Sequence, residues 1–105
     1  MNKSYRVDRW LQPYAPNRAM LRFEMTSEGY TVFQWSDRPE TVYGPHSHPE
    51  DQSHWVISGS LELTIERVGT FVLSAGDRDF MPANTMHSAR VVGDEPVLYL
   101  IGALK

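Results

Sequence analysis

The feature that most constrains the fold of this chain is a series of short β-strand patterns separated by turn residues. Residues 61–67, LELTIER, alternate apolar and polar side chains, which is typical of a strand with one buried face. Other segments rich in apolar, β-branched or aromatic residues lie at 31–35, 70–74 and 97–104, with turn-forming residues between them. Helix signals are poor, because the helix-like segment 7–16 is interrupted by prolines. Short strands at this spacing predict an all-β sandwich or barrel.

Length and composition predict a single domain. The chain has 105 residues, of which 41% are hydrophobic, so it can bury one compact core. No internal repeat divides it further. We predict a β-barrel over residues 20–105, preceded by a short N-terminal arm over residues 1–19.

Charge and residue usage exclude several classes of partner. A net charge of −3 argues against a nucleic-acid partner, which normally requires a basic surface. The chain has no cysteine, which excludes disulfides, thiolate metal ligands and a cysteine nucleophile. The longest apolar run, residues 97–104, is far shorter than the roughly 20 residues of a membrane helix. Because the N-terminus does not resemble a signal peptide, we expect a cytoplasmic protein without a membrane partner.

Histidines are concentrated in one stretch, GPHSHPEDQSHWVISG, which contains His46, His48 and His54. Side chains at positions i and i+2 of a strand point to the same face, so His46 and His48 should point the same way. The same rule places Gln52 and His54 on one face of the next strand. His87 begins a further apolar segment. If these faces line the inside of a barrel, the four histidines and Gln52 gather in one cluster.

Such a cluster has two interpretations. A single histidine in a strand is commonly an ordinary surface or core residue, and a lone His-x-His pair is a weak metal signal. However, burying a polar group without a partner costs about 2 to 7 kcal/mol, and neighbouring imidazoles repel each other when protonated. A shared divalent cation removes both problems by accepting the ring lone pairs. The pattern favours a metal site over histidines that only form hydrogen bonds.

The same stretch resembles the first motif of the cupin superfamily, G-x5-H-x-H-x3-4-E-x6-G. His46 and His48 match the histidine pair, and Gly59 matches the final glycine. Gln52 stands in the glutamate position. Gly44 lies too near to His46 for the usual spacing, so that end of the motif matches only loosely.

A later segment resembles the second cupin motif, G-x5-P-x-G-x2-H-x3-N. Gly76, Pro82 and His87 match at every spacing. Asn84 replaces the middle glycine, and asparagine is the next best residue for a positive φ. Val91 stands where the final asparagine is expected. The resemblance implies a single jelly-roll β-barrel, also called a double-stranded β-helix.

The resemblance also implies one divalent transition metal, either Fe, Mn, Ni or Zn, bound by His46, His48, Gln52 and His87. A glutamine ligand brings no charge, so the metal would keep its full positive charge and favour an anionic substrate. Alternatively, Gln52 does not ligate and hydrogen-bonds a water on the metal.

His54 lies outside the cupin ligand pattern. It is a candidate catalytic acid or base beside the metal, and the alternative is that it supports a ligand or fills the pocket. We expect a metal-dependent enzyme, of dioxygenase, isomerase or lyase type, that acts on a small oxygen-rich anionic molecule. The alternative function is a non-catalytic module that binds or senses a small molecule. The resemblance further implies a homodimer, which is common among small cupins.

Overall fold

The computed structural model describes residues 4–104 of the chain. Within that range the chain forms nine strands and one helix. In chain order the elements are β1 (Arg6–Asp8), α1 (Arg18–Ser27), β2 (Thr31–Asp37), β3 (Val42–His46), β4 (Asp51–Ser58), β5 (Ser60–Ile65), β6 (Gly69–Ser74), β7 (Arg78–Phe80), β8 (His87–Val92) and β9 (Val97–Leu104).

The strands form two antiparallel sheets that enclose one apolar core. The first sheet has the order β1-β7-β4-β9-β2 and the second has the order β3-β8-β5-β6. Val56 and Val97 from the first sheet pack with Leu61, Leu63 and Leu73 from the second, and all five side chains are buried. The predicted all-β barrel is confirmed by this arrangement.

Strand β4 shows how the alternation in the sequence serves two buried faces. Val56 lies in the core between the sheets, whereas its neighbour Trp55 faces outward and packs against Leu21 and Met25 of α1. The predicted alternation of this strand is therefore correct. Both faces of β4 are buried, one by the core and the other by α1. We therefore expect inward-facing polar residues on β4 only where they line a functional site.

Helix α1 was not predicted, and it lies mostly in the segment assigned to the barrel. The Asn17 side chain caps its first turn by accepting a hydrogen bond from the Met20 backbone N–H at 3.1 Å. Leu21 and Met25, one turn apart, bury the inward face of the helix against the sheet. A helix of this length is marginal alone, so its stability comes from this packing, which the sequence pattern does not reveal.

The N-terminal segment is partly structured. Strand β1 lies within the predicted arm and pairs with β7, in register from Arg6 opposite Phe80 to Asp8 opposite Arg78. The boundary between arm and barrel stays a prediction, and the ends of both segments, residues 1–3 and 105, lie outside the described range. No helix in the described part of the chain is both long and apolar enough to span a membrane.

A buried arginine fastens the end of α1 to the first sheet. Arg78 donates hydrogen bonds to the two carboxylate oxygens of Glu28, at 2.6 and 3.3 Å, and to the Ser53 hydroxyl at 2.8 Å. Its guanidinium lies 4.5 Å from the centre of the Trp55 ring and 4.4 Å from that of Phe80. Arginine suits this position because its planar group can stack and form paired hydrogen bonds at once.

We expect Arg78→Ala to lower the free energy of unfolding by about 2 to 4 kcal/mol, since it removes packing as well as the partner of Glu28. Arg90→Ala is the matched control. Arg90 also pairs with a glutamate, Glu62, but its side chain is 59% exposed, so its loss should hardly change stability. Urea unfolding of the two variants measures the difference. Equal losses in the free energy of unfolding would show that the buried contacts of Arg78 do not stabilise the fold.

Candidate metal centre

Three histidines converge where β3 meets β8. His46 ends β3 and lies opposite His87, the first residue of β8, in the strand register. His48 follows two residues after His46. One ligand atom from each of the three imidazoles lies within 4.8 Å of the others. This spacing allows all three rings to reach one shared ion.

Two of the rings are held with the same nitrogen turned away from the cluster. Nδ1–H of His46 donates to the Gly44 carbonyl at 2.7 Å, and Nδ1–H of His87 donates to the Thr85 carbonyl at 2.9 Å. A carbonyl oxygen only accepts, so the proton must reside on Nδ1. Each ring therefore presents the lone pair of Nε2 to the cluster, as metal-ligating histidines commonly do.

The environment favours the neutral form of His48 and His87. Burial lowers the pKa of His87 to about 4, although its hydrogen bond to Thr85 opposes the shift, and the other histidines lower it further. Burial, reinforced by His46, also lowers the pKa of His48. Neutral imidazoles are required for metal binding, so the protein environment favours the form that can ligate.

The turn of the second motif fixes the position of His48. Asn84 adopts a φ of 63°, the positive value that the sequence predicted for this position. Its backbone N–H donates to the His48 carbonyl at 2.7 Å. The two motifs are therefore joined directly at the cluster.

Gln52 lies on β4 with its amide oriented by Glu50. The Gln52 amide nitrogen donates to a Glu50 carboxylate oxygen at 3.4 Å, and a carboxylate can only accept. This leaves Oε1 as the acceptor atom that Gln52 can offer. The side chain lines the same cavity as the three histidines, so the structure brings the four predicted ligands together. Direct ligation by Gln52 stays a prediction.

His54 lines the cavity but lies outside the group of three. It is buried, and its Nδ1 lies 2.9 Å from a carboxylate oxygen of Asp79. Burial alone would lower the pKa of His54, but the charge of Asp79 and the hydrogen bond to it outweigh burial, so the pKa is raised. The sequence analysis gave no role at the site to Asp79, because β7 carries no motif that points to His54.

The cavity around these residues has a volume of about 190 Å³. This is smaller than the roughly 300 to 1,000 Å³ of pockets for drug-sized ligands, so it suits a small molecule. Trp35, Tyr43 and Tyr99 form an aromatic wall of the cavity. The side chains that line the cavity are Trp35, Tyr43, His46, His48, Gln52, His54, Leu61, Leu63, His87, Ala89, Tyr99 and Ile101.

The aromatic wall is held in place by one carboxylate. Asp37 accepts hydrogen bonds from the Tyr43 hydroxyl at 2.7 Å, the Tyr99 hydroxyl at 3.0 Å and the Trp35 indole N–H at 3.2 Å. Burial and the neighbouring carboxylate raise the pKa of Tyr99 well above its usual value. Both tyrosines therefore stay protonated at neutral pH, with their hydrogens committed to Asp37.

A comparison with protein families decides the family of this chain. Residues 33–101 match the family model described as the cupin domain. The chain belongs to the cupin family. The resemblance predicted from the two motifs is confirmed, and the matched range of this cupin includes every predicted site residue.

Solved structures support the same fold. This cupin is 22% identical to the DMSP lyase DddQ from Ruegeria pomeroyi, with a TM-score of 0.67, and the match covers 72% of this chain and 38% of that one. It is 28% identical to an uncharacterised protein with a double-stranded β-helix domain from Klebsiella pneumoniae, with a TM-score of 0.62 over 71% of this chain and 62% of that one.

A manganese enzyme is also similar. Oxalate decarboxylase from Bacillus subtilis, described with Mn(II) centres, is 26% identical with a TM-score of 0.63, and the match covers 71% of this cupin and 22% of that chain. This cupin thus spans well under half the length of the two named enzymes. No curated protein matches its sequence.

The donor atoms of this cupin fit a divalent transition metal. Imidazole nitrogens suit Zn, Fe, Ni and Cu, and an amide oxygen is a neutral oxygen donor of the kind that also suits Mn. The two rings fixed by carbonyls and the amide fixed by Glu50 each keep one acceptor atom, Nε2 or Oε1, free of these hydrogen bonds. Residues that line one cavity therefore offer acceptor atoms of the kinds that ligate such a metal.

Proposed function

We propose that this cupin is a metal-dependent enzyme that acts on a small, oxygen-rich, anionic molecule by dioxygenase, isomerase or lyase chemistry. The observation that carries this proposal is the convergence of three imidazoles within 4.8 Å, in a small cavity that Gln52 and His54 also line. The similarity to a lyase and to a decarboxylase with Mn(II) centres supports it.

In this proposal His46, His48, Gln52 and His87 hold one divalent ion, either Fe, Mn, Ni or Zn. The ion would act as a Lewis acid that stabilises negative charge developing on the substrate. All four protein ligands are neutral, so the site carries the full charge of the ion and attracts an anionic group with two oxygen donors. The small volume of the cavity favours a small substrate.

The chain supplies the remaining chemistry. In this proposal His54 accepts or donates a proton within the cavity, which Trp35, Tyr43 and Tyr99 also line. A general base positioned near the reacting group contributes typically 10² to 10⁴-fold in rate. These residues favour catalysis over simple storage.

Location and assembly are also part of the proposal. We place this cupin in the cytoplasm, without nucleic-acid or membrane partners, as a homodimer. Exposed apolar side chains on the N-terminal segment and α1 support an interface there. They are Leu11, Tyr14, Met20 and Phe23.

Elemental analysis of protein purified without chelator tests the metal. About one equivalent of a transition metal per chain is expected. Iron would direct the search to oxygen-consumption assays with enolisable substrates, and manganese, nickel or zinc would direct it to isomerase and lyase assays. No metal, even after reloading, would overturn the proposal.

His54→Gln separates the enzyme from a non-catalytic binding module. The variant should bind metal and small ligands as the wild-type protein does, but lose at least about 10²-fold in turnover if the protein is an enzyme. If the wild-type protein binds a ligand tightly, and neither it nor the variant turns that ligand over, the protein is a binding or sensing module.

Gln52→Glu should tighten metal binding, because a carboxylate adds a negative charge to the ligand set. We expect the dissociation constant for zinc to fall by about tenfold or more, since one charge-assisted contact is worth on the order of 1.5 to 3 kcal/mol. Competition titration against a chromophoric chelator measures it. Gln52→Leu is the control and should weaken binding. If neither variant changes the affinity, Gln52 is not a ligand.

A further inference from the structure

A carboxylate is buried behind His54, and no lysine or arginine of residues 4–104 forms an ion pair with it. Asp79, in the middle of β7, is fully buried. Among the described residues, the only cationic partner within 4.0 Å of its carboxylate is His54. A buried carboxylate is costly unless its oxygens are hydrogen-bonded, so its partners define its role.

Three donors satisfy the Asp79 carboxylate. Oδ1 accepts from the backbone N–H of His54 at 2.7 Å and from Nδ1–H of the same residue at 2.9 Å. Oδ2 accepts from the Tyr5 hydroxyl at 2.9 Å and lies 3.1 Å from the same Nδ1 of His54. Tyr5 immediately precedes β1, so the N-terminal segment completes this arrangement. Asp79 thus accepts hydrogen bonds from both the backbone and the ring of His54.

The opposite side of the His54 ring opens to the metal cavity. Within the described residues every fully buried side-chain nitrogen or oxygen has a hydrogen-bond partner. Nε2 of His54 has no such partner among these residues. Nε2 is therefore not enclosed by protein. Since His54 is almost fully buried and lines the cavity, the space that Nε2 meets is the cavity itself.

We infer that Asp79 is a positioning residue, which commits Nε2 of His54 to proton exchange with a molecule held in the metal cavity. The Nδ1 proton stays on the ring, hydrogen-bonded to Asp79. A proton taken from the bound molecule therefore enters at Nε2 and is returned from Nε2. When the imidazole is protonated, the carboxylate balances its charge. The inference rests on the proposed function only in that the cavity holds a metal and its ligand.

A purely structural role would not need this arrangement. An asparagine could accept both hydrogen bonds from His54 through its single amide oxygen, and its amide N–H could donate to the Tyr5 hydroxyl, without the cost of burying a charge. A carboxylate is favoured where the partner ring must keep one tautomer and sometimes carry a positive charge, which is the logic of a base oriented by a third group. The separation of His54 from the three-histidine group leaves Nε2 available for this role.

Nitrogen NMR of the intact protein tests the inference without an activity assay. Long-range ¹H–¹⁵N spectra of ¹⁵N-labelled protein show which ring nitrogen of each histidine is protonated, and His54→Gln identifies the His54 signals. We expect Nδ1 of His54 to be protonated before and after the addition of zinc. Zinc should change the Nε2 signal of His54, because Nε2 faces the space beside the ion.

Two variants isolate Asp79. In Asp79→Asn the Nδ1–H proton of His54 should move upfield and exchange with solvent about tenfold faster, because a charged acceptor is replaced by a neutral one. Tyr5→Phe is the matched control: it removes one donor to Oδ2 but keeps the charged acceptor, so the Nδ1–H signal should move much less than in Asp79→Asn.

Each outcome is decisive. An unprotonated Nδ1, or an unchanged Nε2 signal while His46 and His87 report bound zinc, overturns the inference and leaves the proposed function standing. If zinc does not bind, the proposed function fails, and the tautomer of His54 alone decides the inference. Should Asp79→Asn fail to fold, the zinc response of the wild-type protein decides.

Discussion

Replacing His87 with alanine is expected to abolish the stabilisation that this cupin gains from metal. A ligand that binds only the folded state at 100 times its dissociation constant adds about 2.7 kcal/mol to the free energy of unfolding. For a domain of this size that corresponds to a rise in Tm of roughly 10 °C or more. The variant loses one of three converging imidazoles, so its Tm should not respond to the same zinc concentration.

The comparison is made within each variant, with and without zinc, so that an effect of the substitution on the fold itself cancels. His48→Ala should behave as His87→Ala does, because its ring belongs to the same group of three. His54→Gln is the control: its ring lies in the cavity but outside that group, so it should keep the zinc-dependent rise. A full rise in His87→Ala would contradict the three-histidine centre.

A large loss of stability is expected for Gly59→Ala. Gly59 joins β4 to β5 with a φ of 76°, and a Cβ there would lie 2.3 Å from the Pro96 carbonyl oxygen and 2.8 Å from the Val97 Cα. These are backbone atoms at the start of β9, so a methyl group can be accommodated only by moving a strand. We expect the free energy of unfolding to fall by about 4 kcal/mol or more.

Gly93→Ala provides the matched control. Gly93 has a similar φ of 86°, but a Cβ there would have no atom within 4 Å. Only the left-handed backbone penalty applies, which is about 1 to 2 kcal/mol. Urea unfolding of both variants separates the two contributions. Equal losses would mean that conformation, and not the close approach of β9, makes glycine necessary at position 59.

The local sequence predicted the strands well because their signal is local. The alternation in LELTIER reappears in β5, where Leu61, Leu63 and Ile65 are buried. The positive φ at Asn84 was also predicted, because few residues tolerate that conformation and the motif places one there. Helix α1 was missed, since its amphipathic pattern is narrow and its stability depends on Trp55 from another element.

The candidate site also has features that the sequence predicted and features that it did not. The i, i+2 rule predicted that His46 and His48 would point the same way, because it concerns neighbours along the chain, and the resemblance to the two cupin motifs implied that His87 would join them. The partners that orient the site were only partly foreseeable. Glu50 occupies no specified position of either motif, and only the structure shows that its carboxylate accepts a hydrogen bond from the Gln52 amide.

What the sequence determined by itself was a β-barrel of the cupin family with three histidines on inward faces, since periodicity and motif spacing are properties of the chain. Only the tertiary structure decided that Asp79 meets His54, 25 residues away, and that Tyr5 meets Asp79, 74 residues away. Such contacts depend on strand register and on which buried groups find partners. Both are fixed by packing of the whole domain, because a buried charge must be satisfied wherever the fold places it.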